Sequence, residues 1–248
     1  MATHLTFTQH LTGLHEAMGA FASSAATAGL DVDVPTCPDW TVRRLIGHQG
    51  AVHRWARANL LGQELEWGPV EKQGRSAADP VEWLRDGAID LVSTLVAAPD
   101  DVEALVFLLD APPAKQFWAR RQCHETTMHA VDALAASLGR LPRADETWIG
   151  HEIALDGVDE LLTGFVTRAK SRLRSATPVT IAVNATDSEH SWTVRVTDVE
   201  AVTTRHVGPV EGDRAIEGTA AQLYLALWHR SDELESAIWP LWRDSAIH

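Results

Sequence analysis

PAKQFWARRQCHETTMHAVDALAASLG, residues 113–139, opens on a proline and closes on a glycine, with no helix breaker between them. Phe117, Arg121, Met128, Val131, Leu134 and Leu138 recur along it, and Gly139 supplies the left-handed turn that ends many helices. A long helix is therefore expected here. Glu125 and His129, four residues apart, then project from one face about a turn apart.

Three more helices are expected upstream. Leu5, Leu11, Leu14, Met18 and Phe21 mark one from Leu5 to Ala28. The turn Cys37-Pro38-Asp39-Trp40-Thr41 precedes a second, capped by Thr41 and running to about Leu60, whose Val42, Leu45, Ile46, Gln49, Val52 and Ala56 share a broad face. Asp79-Pro80-Val81-Glu82 reads as a cap, a proline at the first helical position and an acid in the first turn, opening a third helix that ends near Pro99. Between these, Gly62 to Ala78 carries Gly62, Gly68, Pro69 and Gly74 without a sustained period and is expected to be a long loop over a site. Four long helices with connections of varied length make a bundle.

Downstream of a linker at Arg140 to Thr147, a further helix is expected from His151 to Arg174. The period then changes to two in Pro178–Asn184 and His190–Thr197, which read as a hairpin; Val199–Val207 is a third strand candidate and Arg214–Glu217 a short fourth. Gly218-Thr219 starts a helix with Leu223, Leu225, Leu227 and Trp228, followed by a tryptophan-rich tail. The fold class is α+β: a helical bundle over residues 1–147 and a smaller domain over 148–248.

The 248 residues include 21 Lys and Arg against 34 Asp and Glu, a formal net charge of −13. This acidity excludes a sequence-independent nucleic-acid binder and a polybasic membrane reader. No window approaches 18 consecutive apolar residues, the start lacks a basic region before an apolar run, and two cysteines are too few for a disulfide framework. A cytoplasmic protein with reduced thiols is expected.

The chemistry centres on Glu125 and His129, because a carboxylate and an imidazole at this spacing can converge on one ion about 2 Å from each donor. A third ligand must come from another element; His48, midway along the second helix beside Leu45 and Val52, is the best candidate, with His53 and His124 as competitors. The bland alternatives are a solvated helix pair for Glu125 and His129 and a histidine bonded to a backbone carbonyl for His48.

Cys37-Pro38-Asp39-Trp40-Thr41-Val42-Arg43 with Leu45-Ile46-Gly47-His48, and then His124-Glu125-Thr126-Thr127-Met128-His129-Ala130-Val131-Asp132-Ala133, resemble the mycothiol-dependent maleylpyruvate isomerase family, part of the DinB-like group of metal-binding four-helix bundles. Gly218–Leu223 through Leu227-Trp228-His229-Arg230 resembles the end of that family's C-terminal domain, which is similar to sterol carrier proteins. The resemblance implies that His48, Glu125 and His129 hold a divalent metal, usually zinc, and it returns His53 and His124 to ordinary surface or core positions. It places at Arg230 an arginine implicated in the family's active site; the alternative is an arginine on the helix dipole. Asp132, three residues after His129, is either an acceptor that orients the imidazole or a simple polar contact. Cys123 reads as a small buried filler and Cys37 is given no redox role. Arg75 and Arg85 are candidates for second anion contacts, and Trp40 and Trp55 for lining the pocket.

Two histidines and a carboxylate leave a coordination position open, the mark of a catalytic site. The resemblance implies that mycothiol, as cosubstrate, fills it with a thiol whose ordinary pKa of about 8.5 falls on coordination. The abundant alanine and only three lysines, Lys72, Lys115 and Lys170, fit a high-GC actinobacterial source, where mycothiol replaces glutathione. The thiolate then either adds to an activated cis double bond, with rotation and elimination, or attacks an electrophile and stays there as in an S-transferase. Two readings stand beside this: a non-haem iron enzyme using the same donor set, and a non-catalytic ligand-binding protein. Nothing in the sequence chooses an oligomeric state, an electrophile or the thiol-contacting residues.

Overall fold

A computed structural model describes residues 4–243 of the chain. The fold is α+β and divides into two compact units, one helical (6–106 and 112–142) and one built on a sheet (4–5, 107–111 and 143–243).

In the helical unit, α1 is Phe7–Ala28, α2 Val42–Leu60, α3 Trp67–Ser76, α4 Pro80–Ala97 and α5 Ala114–Leu138. Their ends follow local chemistry. Thr6 and Gln9 form a reciprocal capping box at α1, and Thr41 Oγ1 accepts from Arg44 N at the start of α2. Asp79 Oδ1 accepts from Glu82 N at 3.0 Å just before Pro80, and Gly139, at φ 69°, closes α5. α1 packs along α5, and α2 along α4 and α5, around Leu14, Phe21, Leu45, Ile46, Leu84, Leu91, Phe117 and Trp118, all at most 1% exposed.

The expected loop from Gly62 to Ala78 is corrected by the structure, because its centre is the helix α3. Pro69 lies in the first turn of α3, where its missing N–H costs no hydrogen bond. Gly74 is a packing slot and breaks nothing. A Cβ there would fall 2.3 Å from Cζ3 of Trp83 on α4, and one at Gly50 of α2 would fall 2.1 Å from the same atom. The indole is thus clasped between two glycines, with Arg54 stacked 3.7 Å from its centroid. Gly47 lets α3 approach α2 as closely, since a Cβ there would meet Glu71 O at 2.9 Å.

In the second unit, α6 (His151–Asp159) runs into a π-helical turn at Glu160–Phe165, so the regular helix expected to reach Arg174 ends earlier. The strands are β1 Val179–Ala185, β2 His190–Val196, β3 Val202–Val207 and β4 Arg214–Gly218, in the order β3-β2-β1-β4. β1–β2 and β2–β3 are antiparallel and β1–β4 is parallel. β3 starts three residues later than the pattern suggested. Thr219 and Gln222 form a capping box at the start of α7 (Ala220–Leu227), and the four-residue α8 is Trp239–Trp242. Trp242 is fully buried and donates from Nε1 to Leu227 O at 2.9 Å. Among the described residues no helix is long and apolar enough to cross a membrane.

Candidate metal centre

The two helices that carry the site are positioned by their own entry sequences and packing. The turn before α2 places Asp39 in the left-handed region at φ 68°, and Val34 N donates to Trp40 O at 2.9 Å, which folds Trp40 back beside the helix. His48 then lies on the second turn of α2, while Glu125, His129 and Asp132 follow one another along α5.

His48, Glu125 and His129 each direct a ligand atom to one place, all within 4.8 Å of one another. Two donors held about 2.1 Å from a tetrahedral ion stand about 3.4 Å apart, so small side-chain adjustments would close the set. His129 Nε2 is 3.3 Å from Glu125 Oε1, and its Nδ1 is 2.9 Å from Asp132 Oδ2. That second contact fixes which imidazole nitrogen faces Glu125, the usual arrangement around a metal-binding histidine. Glu125 Oε2 accepts from Arg121 Nη2 at 2.9 Å, and Cys37 Sγ donates to Asp132 Oδ2 at 3.4 Å.

The electrostatics suit a cation. Burial, assisted by the charge of His129, lowers His48 to about 4, so its ring is neutral with a lone pair to offer. Burial opposes ionisation of Glu125, yet the hydrogen bond from His129 and the charge of Arg121 outweigh it and hold the carboxyl well below the usual carboxylate range. Burial likewise opposes protonation of His129, but the bonds to Asp132 and Glu125 raise it to about 9. Without a metal, the imidazolium of His129 is itself the cation between two carboxylates.

Aromatic rings wall the centre. Trp40 lies 4.8 Å from the His48 ring and stacks at 17° and 6.4 Å on that of His129; Trp67 of α3 is 5.4 Å from His48 on an edge. Of the two tryptophans expected to line a pocket, Trp55 instead meets Trp118 at 5.1 Å, and Trp67, hidden in the expected loop, takes that role. Its readable signals are the spacing from Trp67 to Glu71, where Nε1 donates to Oε2 at 3.0 Å, and the matching spacing from Glu71 to Arg75.

The other candidates separate clearly. His53 is buried, with Nε2 2.9 Å from both Gln49 Nε2 and Thr126 Oγ1, and burial lowers it to about 3. His124 is buried with its ring 6.2 Å from that of His10. Cys123 is a buried thiol in the helix core. Arg75 packs its stem over Gly47, whereas Arg85 pairs with Glu82 at 3.5 Å and borders an apolar groove between α1 and α4. Arg230 follows α7 in the other unit, half-buried, and donates from Nη1 to Trp228 O at 2.7 Å. Besides Trp67, the contacts of Arg121 and Cys37 at the candidate site were also missed by the sequence reading. The first had a signal in its spacing of four from Glu125; the second, 95 residues from Asp132, had none.

Residues 11–134 match the family model of the mycothiol maleylpyruvate isomerase N-terminal domain, and 152–238 that of the MDMPI C-terminal domain. The chain belongs to the mycothiol maleylpyruvate isomerase family. The family's fold extends to solved structures. A crystal structure of a mycothiol-dependent maleylpyruvate isomerase superposes with a TM-score of 0.62 at 15% identity, covering 94% of this chain and 93% of that one. A histidine-to-alanine mutant of a mycothiol-dependent maleylpyruvate isomerase superposes at 0.61 and 16% over the same shares. Among curated proteins none matches this member of the family by sequence.

Proposed function

We propose that this family member is a divalent-metal-dependent enzyme that activates a low-molecular-weight thiol, mycothiol by kinship, for cis-trans isomerisation of an activated double bond or for S-transfer to an electrophile. One observation carries the reading: His48, Glu125 and His129, from two helices, converge on one place with His129 already oriented by Asp132. When bound there, zinc or another divalent cation supplies Lewis acidity, which keeps a coordinated thiol ionised at neutral pH. His48 and His129 offer nitrogen, Glu125 offers the oxygen not held by Arg121, and three protein ligands leave room for the thiol. Asp132 accepts a hydrogen bond from Nδ1–H of His129 and so keeps Nε2 for the cation. Trp40 and Trp67 exclude water from the sulfur. Arg230, assigned by kinship, is the proposed stabiliser of developing enolate charge in an isomerisation.

Elemental mass spectrometry on protein purified without a metal-affinity column tests this. Near-stoichiometric zinc in wild type, lost in both Glu125→Ala and His129→Ala, is the expected result. Wild type that remains metal-free after zinc is resupplied overturns it, and near-stoichiometric iron turns the reading to oxygen chemistry on the same donors.

A further inference from the structure

We propose that Gln49, His53 and Thr126 are positioning residues of the metal centre, a buried polar clasp that fixes the register of α2 against α5 and so keeps His48 within reach of an ion held by Glu125 and His129. The proposal rests on the metal-dependent reading above and adds to it what holds the ligand set in shape.

Metal–ligand distances hold to about 0.2 Å, so two helices that share an ion must meet in one register. α2 leans chiefly on α4 and α3 and less on α5, the helix that carries the other two ligands. Its closest approaches have the same bias, since the openings at Gly47 and Gly50 receive Glu71 and Arg75 of α3 and Trp83 of α4. Apolar packing alone fills space in several neighbouring arrangements and loses uniqueness before it loses stability. Something else must therefore select the register of α2 on α5.

Gln49 and His53 are the only polar side chains among the buried residues of α2, and both turn to Thr126 of α5. Gln49 Nε2 donates to Thr126 Oγ1 at 3.0 Å, and His53 Nε2 lies 2.9 Å from each of those atoms, which closes a triangle of polar atoms across the two helices. All three residues are fully buried. Gln49 directly follows His48 and Thr126 directly follows Glu125, so the two residues that meet across the interface each adjoin a metal ligand. Sliding or turning α2 by one residue, about 1.5 Å along its axis, would break the triangle and carry His48 away with it. Burial lowers His53 to about 3, so its ring is neutral and sets no second cation beside the ion. Three buried polar groups are a poor source of stability, because apolar residues of the same shape in their place are often neutral or stabilising. What such groups add is a single defined arrangement.

The test compares wild type with three variants. Thr126→Val removes the hydroxyl at nearly constant shape and leaves Gln49 bonded to His53 within α2; Thr126→Ser restores the hydroxyl; and the triple variant Gln49→Met, His53→Leu, Thr126→Val makes the contact apolar. Zinc affinity is read by competition with a chelator, and the geometry of the ligand set by the visible spectrum of substituted cobalt. In the metal-free proteins, the approach of the helices is read by cross-relaxation between the ring protons of His48 and His129, whose centroids are 5.0 Å apart. The expected result is zinc binding weakened at least about tenfold, with an altered cobalt spectrum, in Thr126→Val and the triple variant, and binding within threefold of wild type in Thr126→Ser. The cross-relaxation should be lost only where the hydroxyl is absent, and the triple variant should be at least as stable to urea as wild type. Zinc bound by Thr126→Val within threefold of wild type overturns the proposal, as does Thr126→Ser binding as weakly as Thr126→Val. A triple variant that regains wild-type affinity overturns it too, because unsatisfied polar groups and not register would then be the cause. So does a triple variant that loses urea stability along with zinc, by making the trio an ordinary structural contact. If Thr126→Val does not fold, the triple variant decides on the same threefold limit. If wild type binds neither zinc nor cobalt, the metal-dependent reading fails by itself, and cross-relaxation that persists in metal-free Thr126→Val still overturns the clasp.

Discussion

Two partly buried carboxylates, one in each unit, are both paired with arginine, and they differ in what is left over. Asp159, on α6, accepts from Trp192 Nε1 at 2.9 Å and from Arg205 Nε and Nη2 at 2.5 and 2.7 Å, and Arg205 is further tied to Asp110 at 2.6 Å. Every oxygen has a fixed donor, and Arg205 is held protonated beyond its ordinary range, first through its bonds to Asp159. Glu125, on α5, has one oxygen on Arg121 and turns the other to His129 and His48. The first arrangement is closed and holds a sheet to a helix. The second is open on the side where two imidazoles converge, and an open set of donors is what a ligand requires.

Breaking each carboxylate separately should give opposite phenotypes. Asp159→Ala leaves the Trp192 indole and the Arg205 fork without their acceptor; with Arg205 partly exposed, a loss of about 3 kcal/mol of stability is expected in urea titration, with zinc stoichiometry unchanged. Equal damage to metal binding would show that the two carboxylates do not have separate roles. Within the open site, Asp132→Ala should weaken zinc binding by about 10- to 100-fold, about 1.4 to 2.7 kcal/mol, while leaving three ligands in place. Competition with a chelator measures this, and an unchanged affinity would reduce Asp132 to a polar contact.

A further test sharpens the comparison without any mutation. His129 is raised to about 9, so at neutral pH the metal-free protein carries a proton there that a cation must displace, whereas His48, lowered to about 4, carries none. Zinc affinity should therefore rise about tenfold per pH unit between pH 6 and 8, with about one proton released, measured by calorimetry in buffers of different protonation enthalpy. The stability that protonated His129 lends the metal-free protein has the opposite sign. It is fully present below the unfolded value of 6.5 and is lost as pH rises through 9, so the melting temperature of the metal-free form should fall over that range. A flat affinity profile would remove His129 from the ligand set.

The ligand candidates were legible because their spacing is local. Glu125 and His129 lie on one uninterrupted helix, and the place of His48 midway along the second helix made it the best candidate for the partner, in agreement with the resemblance. α3 was hidden because Gly68, Pro69 and Gly74 read as breakers when only neighbours in sequence are considered. In the fold, Pro69 falls where a proline is free of cost and Gly74 is an opening for the Trp83 ring. Trp67 was lost with that helix, and Trp55 was credited with its position.

Caps, periodicity and the change from helical to alternating pattern act over a few residues, and through them the chain alone determined its α+β class, its four long helices and its hairpin. The meeting of His48 with Glu125 and His129, the bond from Cys37 to Asp132 and the arrival of Trp67 beside His48 were decided only in the tertiary structure. Each depends on how elements distant in the chain pack; the arrival of Trp67 also uses the glycine openings at positions 47, 50 and 74, which receive Glu71 and Arg75 of α3 and Trp83 of α4.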